Sequence, residues 1–392
     1  VKVFILAGEP SGDKLGGALM AGLRSLTPEI SFQGVGGDAM AAEGLDSLFD
    51  MADLSVMGLL EVLPRIPKLL RRIKQTVAAA QAFAPDVLIT IDSPDFCLRV
   101  AEKLKQSHPD LKVVHYVAPS VWAWRPERAE KMARHVDHVL ALLPFEPPYM
   151  TAAGMSCDFV GHPIVAERQP AEPETAAFAK ELGINPELPV VCLLPGSRKG
   201  ELTRMGPIHG EVARRIAIHV EGVQFILPAA GAVVDQAKRM VETWEVTPLV
   251  LDPRGLGVAE NEHRKRMVFA LSDAALATSG TVALELAAAS CPMVVGYKAN
   301  YLTTRMVKKL AQIDTANLIN IVTQTREIPE FLFEACTPDL IAPALLALLK
   351  DRQVAAAQKE VCAQTMQALG LGGEDPGLRA ARSVLAFLDS AV

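Results

Sequence analysis

An α/β fold in two domains, each a parallel sheet wrapped by helices, is what this sequence predicts, and three observations predict it. The chain has 392 residues, more than one hydrophobic core usually supports, so length alone favours two domains of about 150 to 200 residues. Short apolar runs alternate with longer helical patterns throughout, as parallel strands joined by crossover helices require. That alternation runs twice, on either side of a stretch from Glu167 to Pro189 rich in Pro, Glu and Ala.

Taken in order, the strand runs of the first half are Val1–Ala7, Ser31–Val35, Val87–Ile91, Val113–Val117 and Val139–Leu143. Those of the second half are Val190–Leu194, Val223–Leu227, Leu249–Leu251, Ala274–Thr278 and Met293–Gly296. Each half carries its own βα series, so two Rossmann-like domains facing each other are expected. Residues 1–166 form the first, 167–345 the second, and 346–392 a helical tail interrupted at Gly370–Pro376. The tail is expected to pack back on the first domain or on a partner.

Composition excludes several classes. No uncharged apolar run approaches the roughly 20 residues that cross a bilayer, and the N-terminal residues show no ordered signal-peptide regions; a cytoplasmic protein is expected. The six cysteines contain no CxxC pair, so neither a disulfide framework nor a zinc site is indicated. A net charge of −6 argues against a nucleic-acid binder, although a local basic patch can sit beneath an acidic total.

The motifs fall at strand ends, where open α/β sheets bind ligands. The first strand runs into Gly8-Glu9-Pro10-Ser11-Gly12-Asp13, and Leu15-Gly16-Gly17 opens a helix. Glycine there lets a ligand approach the helix N-terminus, but neither a dinucleotide fingerprint nor a P-loop is present. Asp92-Ser93-Pro94-Asp95 follows the third run; its carboxylates suit a general base, and equally a helix N-cap. His115 to Arg125 holds two of the three tryptophans, Trp122 and Trp124, beside Arg125 and Arg128. Such a cluster is either an apolar contact surface or core filling, and His115 is an ordinary interior histidine on the commoner reading.

In the second half, Pro195-Gly196-Ser197-Arg198-Lys199-Gly200-Glu201 is either a diphosphate loop with an arginine fork or a plain βα turn. Thr278-Ser279-Gly280-Thr281 opens a helix with Glu285 one turn in. Thr281 and Glu285 share a face, so Glu285 can reach a ribose diol while the turn holds phosphate; otherwise Ser279 is a cap and Glu285 a solvated charge. Finally, Ile66, Leu69, Leu70, Ile73 and Val77 form a helical stripe among Arg65, Lys68, Arg71, Arg72 and Lys74, preceded by the apolar Val56–Leu60. This is a surface for anionic lipid or a docked amphipathic helix.

The strings AGEPSGD (7–13), DSPDF (92–96), HYVAPSVWAWR (115–125), LPFE (143–146), GHP (161–163), LPGSRKGE (194–201), SGTVALE (279–285) and CPMVVGYK (291–298) together resemble the lipid-A-disaccharide synthases across nearly the whole chain. The resemblance implies a GT-B type glycosyltransferase, two Rossmann-like domains facing a cleft; no DxD or His-rich metal signature stands out, so no metal or other cofactor is expected. It implies an inverting reaction that joins UDP-2,3-diacylglucosamine to 2,3-diacylglucosamine 1-phosphate (lipid X) and releases UDP. It places Asp92 as base with Glu9 and Asp95 close by, and Gly196, Ser197, Arg198, Glu201, Ser279, Gly280, Thr281 and Glu285 on the nucleotide side. Asn320 aligns with an asparagine near the uracil, although Ile319 stands where a proline is expected. Ser11, Gly12, Asp13, Trp122, Trp124 and Arg125 fall on the acceptor and lipid side, and Lys68, Leu69, Leu70, Arg71, Arg72 and Ile73 on the membrane side. The implied place is the cytosolic face of the inner membrane, on anionic lipid, with a homodimer left open. A UDP-sugar 2-epimerase shares the fold but has no use for a Trp-rich, basic first domain; a lipid carrier has no use for paired anion turns.

Overall fold

The computed structural model describes residues 1–54, 66–299, 304–305 and 314–390. It divides into two compact units, residues 1–166 with 369–392, and residues 167–368. The C-terminal helices, grouped from sequence as one tail, are therefore shared: Pro338–Lys350 and Arg352–Ala368 belong to the second unit and Pro376–Asp389 to the first.

The first unit carries six parallel strands, β1 (Lys2–Ala7), β2 (Ser31–Val35), β3 (Val87–Ile91), β4 (Lys112–Tyr116), β5 (His138–Ala141) and β6 (Ser156–Phe159), in the order β2-β1-β3-β4-β5-β6. Val3 to Ala7 are fully buried, because helices cover both faces of the sheet. The second unit repeats the plan with β7 (Val190–Leu194), β8 (Gln224–Pro228), β9 (Leu249–Leu251), β10 (Ala274–Thr278), β11 (Met293–Tyr297) and β12 (Glu330–Leu332), in the order β12-β11-β10-β7-β8-β9. All ten anticipated strands are present. The two not anticipated, β6 and β12, are edge strands, half-buried or exposed along their length, so neither needs an apolar run.

The last helix seals the first unit through small residues. A Cβ on Gly22 would stand 2.7 Å from the Gly377 carbonyl, and one on Gly377 would stand 2.6 Å from that of Ala18. Beside this seam, the buried His138 bonds Ser156 at 2.7 Å and Ser383 at 2.8 Å, and its ring stacks on Phe387. Arg379 donates to the Phe159 carbonyl.

The Ile66–Phe83 helix corrects part of the lipid-facing stripe. Ile73 is buried in the core, and Leu69 and Val77 pack against it. Lys68 and Arg72 both pair with Asp53. Periodicity found one broad stripe, but its inner edge docks on the sheet. Ile66 and Leu70 are left 39% and 45% exposed, beside the exposed Arg71 and Lys74. Val56–Leu60 and Arg65 lie outside the described residues.

Candidate active site residues

Backbone strain concentrates at the carboxyl edge of the first sheet. Asp92, Ser93, Val117 and Arg125 are four of the eight non-glycine residues with positive φ among the described residues. Each such residue costs about 1 to 3 kcal/mol and persists only where its surroundings impose it. Asp92 donates its N–H to the Tyr116 carbonyl at 3.0 Å. Ser93 is pressed under the first-strand turn, where a Cβ on Gly8 would stand 2.5 Å from its Oγ.

The capping alternative for this turn fails. Ser93 occupies the N-cap of Pro94–Ser107 without a side-chain cap bond, and the Asp92 carboxylate makes no hydrogen bond among the described residues. Glu9, at the N-cap of Pro10–Leu26, likewise makes no side-chain cap bond. Burial, and then the charge of Asp92, push its carboxyl above the ordinary range, so the two are electrostatic neighbours. Asp95 is exposed on the first turn of its helix.

The neighbouring residues divide. Ser11 is exposed, but Gly12 is buried against Ile91. Asp13, expected on the ligand side, is buried, and its oxygens accept the N–H groups of Gly37 (2.7 Å), Ala39 (2.9 Å) and Met40 (3.1 Å), holding the next helix. His115 is interior, bonded to Thr90 at 2.8 Å, and burial pulls it down to about 4.

The tryptophan loop is held from below by a residue that sequence reasoning passed over. Buried Glu146 accepts the Leu143 N–H at 3.0 Å and the Trp122 Nε1–H at 3.3 Å, and burial pushes its carboxyl up to about 7 against these donors. Its place in LPFE, just past a strand, was the available signal. Trp122 also meets Phe145 edge to face. Half-buried Trp124 carries Arg125 and Arg128 at 4.5 and 5.1 Å from its ring centre. Neither guanidinium has a carboxylate partner among the described residues.

The second unit has a cavity of about 790 Å³ at the carboxyl edge of its sheet, which brings both of its strand-end turns together with Glu285. Gly196 is obligatory in the first turn: its φ is +120°, and a Cβ there would lie 2.5 Å from that of Glu201. Glu201, expected on the nucleotide side, lines this cavity and also braces the turn. Its Oε2 accepts the N–H groups of Ser197 (2.9 Å) and Arg198 (3.2 Å), so those two donors are already satisfied. The Arg198 guanidinium approaches Glu201 at 3.3 Å with its side chain 72% exposed.

In the second turn Gly280 and Thr281 are exposed, and a Cβ on Gly280 would meet only the Thr278 carbonyl, at 4.0 Å. Ser279 spends its N–H on the Gly296 carbonyl. Glu285 pairs with Lys265 at 2.7 Å, and Lys265 with Glu262 at 2.8 Å. Burial pulls the Lys265 ammonium down, yet the two carboxylates outweigh it and hold it above its ordinary value. Lys265 lies within the Val258–Leu271 helix, away from the strand-end motifs, and so was not singled out from sequence.

The cavity's other cations are more tightly held. Arg254 grips Asp252 at 2.6 Å and Asp235 at 3.0 Å, and Arg264 pairs with Glu181 at 2.9 Å over the Phe178 ring. Asn320, expected near the uracil, is engaged by its own loop. It is fully buried, and its amide is spent on the Ile328 backbone, donating at 2.9 Å and accepting at 3.1 Å. These bonds close its own loop.

Residues 3–375 match the model of the lipid-A-disaccharide synthetase family. The chain is 54% identical to the lipid-A-disaccharide synthase of Ruegeria pomeroyi over 98% of its length and 95% of that protein's. In fold it is similar to the UDP-GlcNAc 2-epimerase of Neisseria meningitidis, solved with UDP-GlcNAc, at TM-score 0.61 and 12% identity over 99% of both chains. The same holds for the glycotransferase of kitacinnamycin, at TM-score 0.59 and 16% identity over 98% of both chains.

Proposed function

Because the chain belongs to the lipid-A-disaccharide synthase family and is a glycosyltransferase forming the lipid A disaccharide, we propose that its first unit supplies the base and the acceptor contacts, and its second unit the donor contacts. The donor is UDP-2,3-diacylglucosamine and the acceptor 2,3-diacylglucosamine 1-phosphate. Asp92 takes the proton of the acceptor hydroxyl as that oxygen bonds the anomeric carbon. The bond to the diphosphate breaks, UDP leaves with the electron pair, and the anomeric centre inverts to a β-1,6 link.

The observation that carries this reading is the Asp92–Ser93 turn. Two successive left-handed residues are held under Gly8, and the carboxylate they present has no partner among the described residues. Glu9, with its carboxyl pushed up beside it, and Asp95 are the neighbouring acids. In the second unit, Arg198 is the most exposed lining cation and the one with the longest ion pair. It is suited to the leaving diphosphate, with the open Ser279–Thr281 turn beside it. Trp122, Trp124 and Arg125, joined by Arg128, offer the acylated acceptor an apolar platform edged with positive charge.

UDP release from the diacylglucosamine donor tests the reaction. Release should depend on acylated acceptor and match disaccharide formed; equal release without acceptor, or epimerised sugar, overturns the proposal.

Membrane contact rests on Ile66, Leu70, Arg71 and Lys74. Each basic residue at an anionic surface contributes about 1 kcal/mol, so Arg71→Gln with Lys74→Gln should lower partitioning onto anionic vesicles roughly 30-fold at low salt. The loss should shrink as salt rises. Lys68→Gln should do less, because Asp53 already neutralises it. Unchanged sedimentation of the double variant removes this helix from the membrane surface.

A further inference from the structure

The charges of the second unit's cavity are not spread evenly. Lys265 stands between two carboxylates, Glu262 one turn before it on the Val258–Leu271 helix and Glu285 on the Val282–Ala288 helix. The cluster carries one positive and two negative charges, so it repels a diphosphate and attracts hydrogen-bond donors. Arg198, at the other turn, does the reverse. This charge pattern favours one orientation for a ligand with an anionic end and a polyol end.

Lys265 holds one oxygen of Glu285, Oε2, at 2.7 Å, leaving Oε1 without a protein partner among the described residues. All three side chains are half-buried, and all three line the cavity. Without the ammonium, two carboxylates would share a poorly hydrated space, and Glu285 would turn away or take up a proton.

We infer that Lys265 is a positioning residue for the donor nucleotide, fixing Glu285 as the acceptor for the ribose hydroxyls and so selecting ribonucleotide over 2′-deoxynucleotide. The inference rests on the reading that this cavity holds a nucleoside diphosphate. Glu262 is the counter-charge that fixes Lys265 in turn.

Calorimetric titration of the full chain with UDP and with 2′-deoxy-UDP tests it. The wild type should prefer UDP by roughly tenfold or more, the size of a hydrogen bond to a charged group. Lys265→Met should bring that ratio to about twofold, while Lys265→Arg keeps most of it. Glu285→Gln should match Lys265→Met, and combining the two should cost no further discrimination, which a mere helix staple would not produce. If Lys265→Met melts early, Lys265→Gln carries the same comparison. A folded Lys265→Met or Lys265→Gln with the wild-type ratio overturns the inference. So does a wild type that binds UDP and 2′-deoxy-UDP alike, which leaves the nucleotide cavity standing. A wild type that binds no UDP removes the cavity reading itself.

Discussion

Asp92→Asn should lower turnover by about 10² or more, with melting temperature and UDP affinity unchanged. The choice of asparagine follows from the backbone. Asp92 sits at a φ of +48°, and asparagine is among the few residues that enter this region readily. Alanine would add a conformational penalty to the chemical one. Because the carboxylate makes no hydrogen bond among the described residues, removing its charge breaks no structural bond. Glu9→Gln and Asp95→Asn belong in the same series. Should Asp92→Asn turn over at the wild-type rate, the base is another acid, and the deeper fall among the other two names it.

Arg198→Ala should weaken UDP binding about 10- to 100-fold, as expected for one charge-assisted contact worth roughly 1.5 to 3 kcal/mol. Stability should hold, since the side chain is 72% exposed and its one ion pair is long. Calorimetry with UDP reads the effect directly. Arg254→Ala is the informative contrast: that guanidinium is engaged by Asp252 and Asp235, so its loss should disturb its own loop more than the nucleotide. Wild-type affinity in Arg198→Ala would shift the diphosphate to the Ser279–Thr281 turn.

How much of this was legible depends on what each residue does. The central strands could be read because burial on both faces demands continuous apolar runs, as in Val3–Ala7 and Val87–Ile91. Edge strands such as Ser156–Phe159 carry no such demand. The helix after residue 65 was legible as a stripe, but period alone does not say which edge docks, so Ile73 was placed on lipid while it fills the core. Asp92 and Arg198 could be located because open α/β sheets place ligands at strand ends. Asp13 and Asn320 lie in the same kinds of segment, and only the geometry shows that their side chains bond neighbouring backbone. Lys265 was missed because it lies within a helix, away from the strand-end motifs.

The seam between Pro10–Leu26 and Pro376–Asp389 has a consequence for how the protein is made. All six strands of the first sheet leave the ribosome within the first 166 residues, but the helix that seals them follows only after residues 167–368. At about 5 to 20 residues per second, that interval lasts roughly 10 to 40 s. Throughout it the glycine-lined groove at Gly22 stays open, and His138 lacks Ser383 and Phe387. The second unit, continuous in sequence, has everything it needs to finish first. The first unit can thus be completed only after the whole of the second has been made.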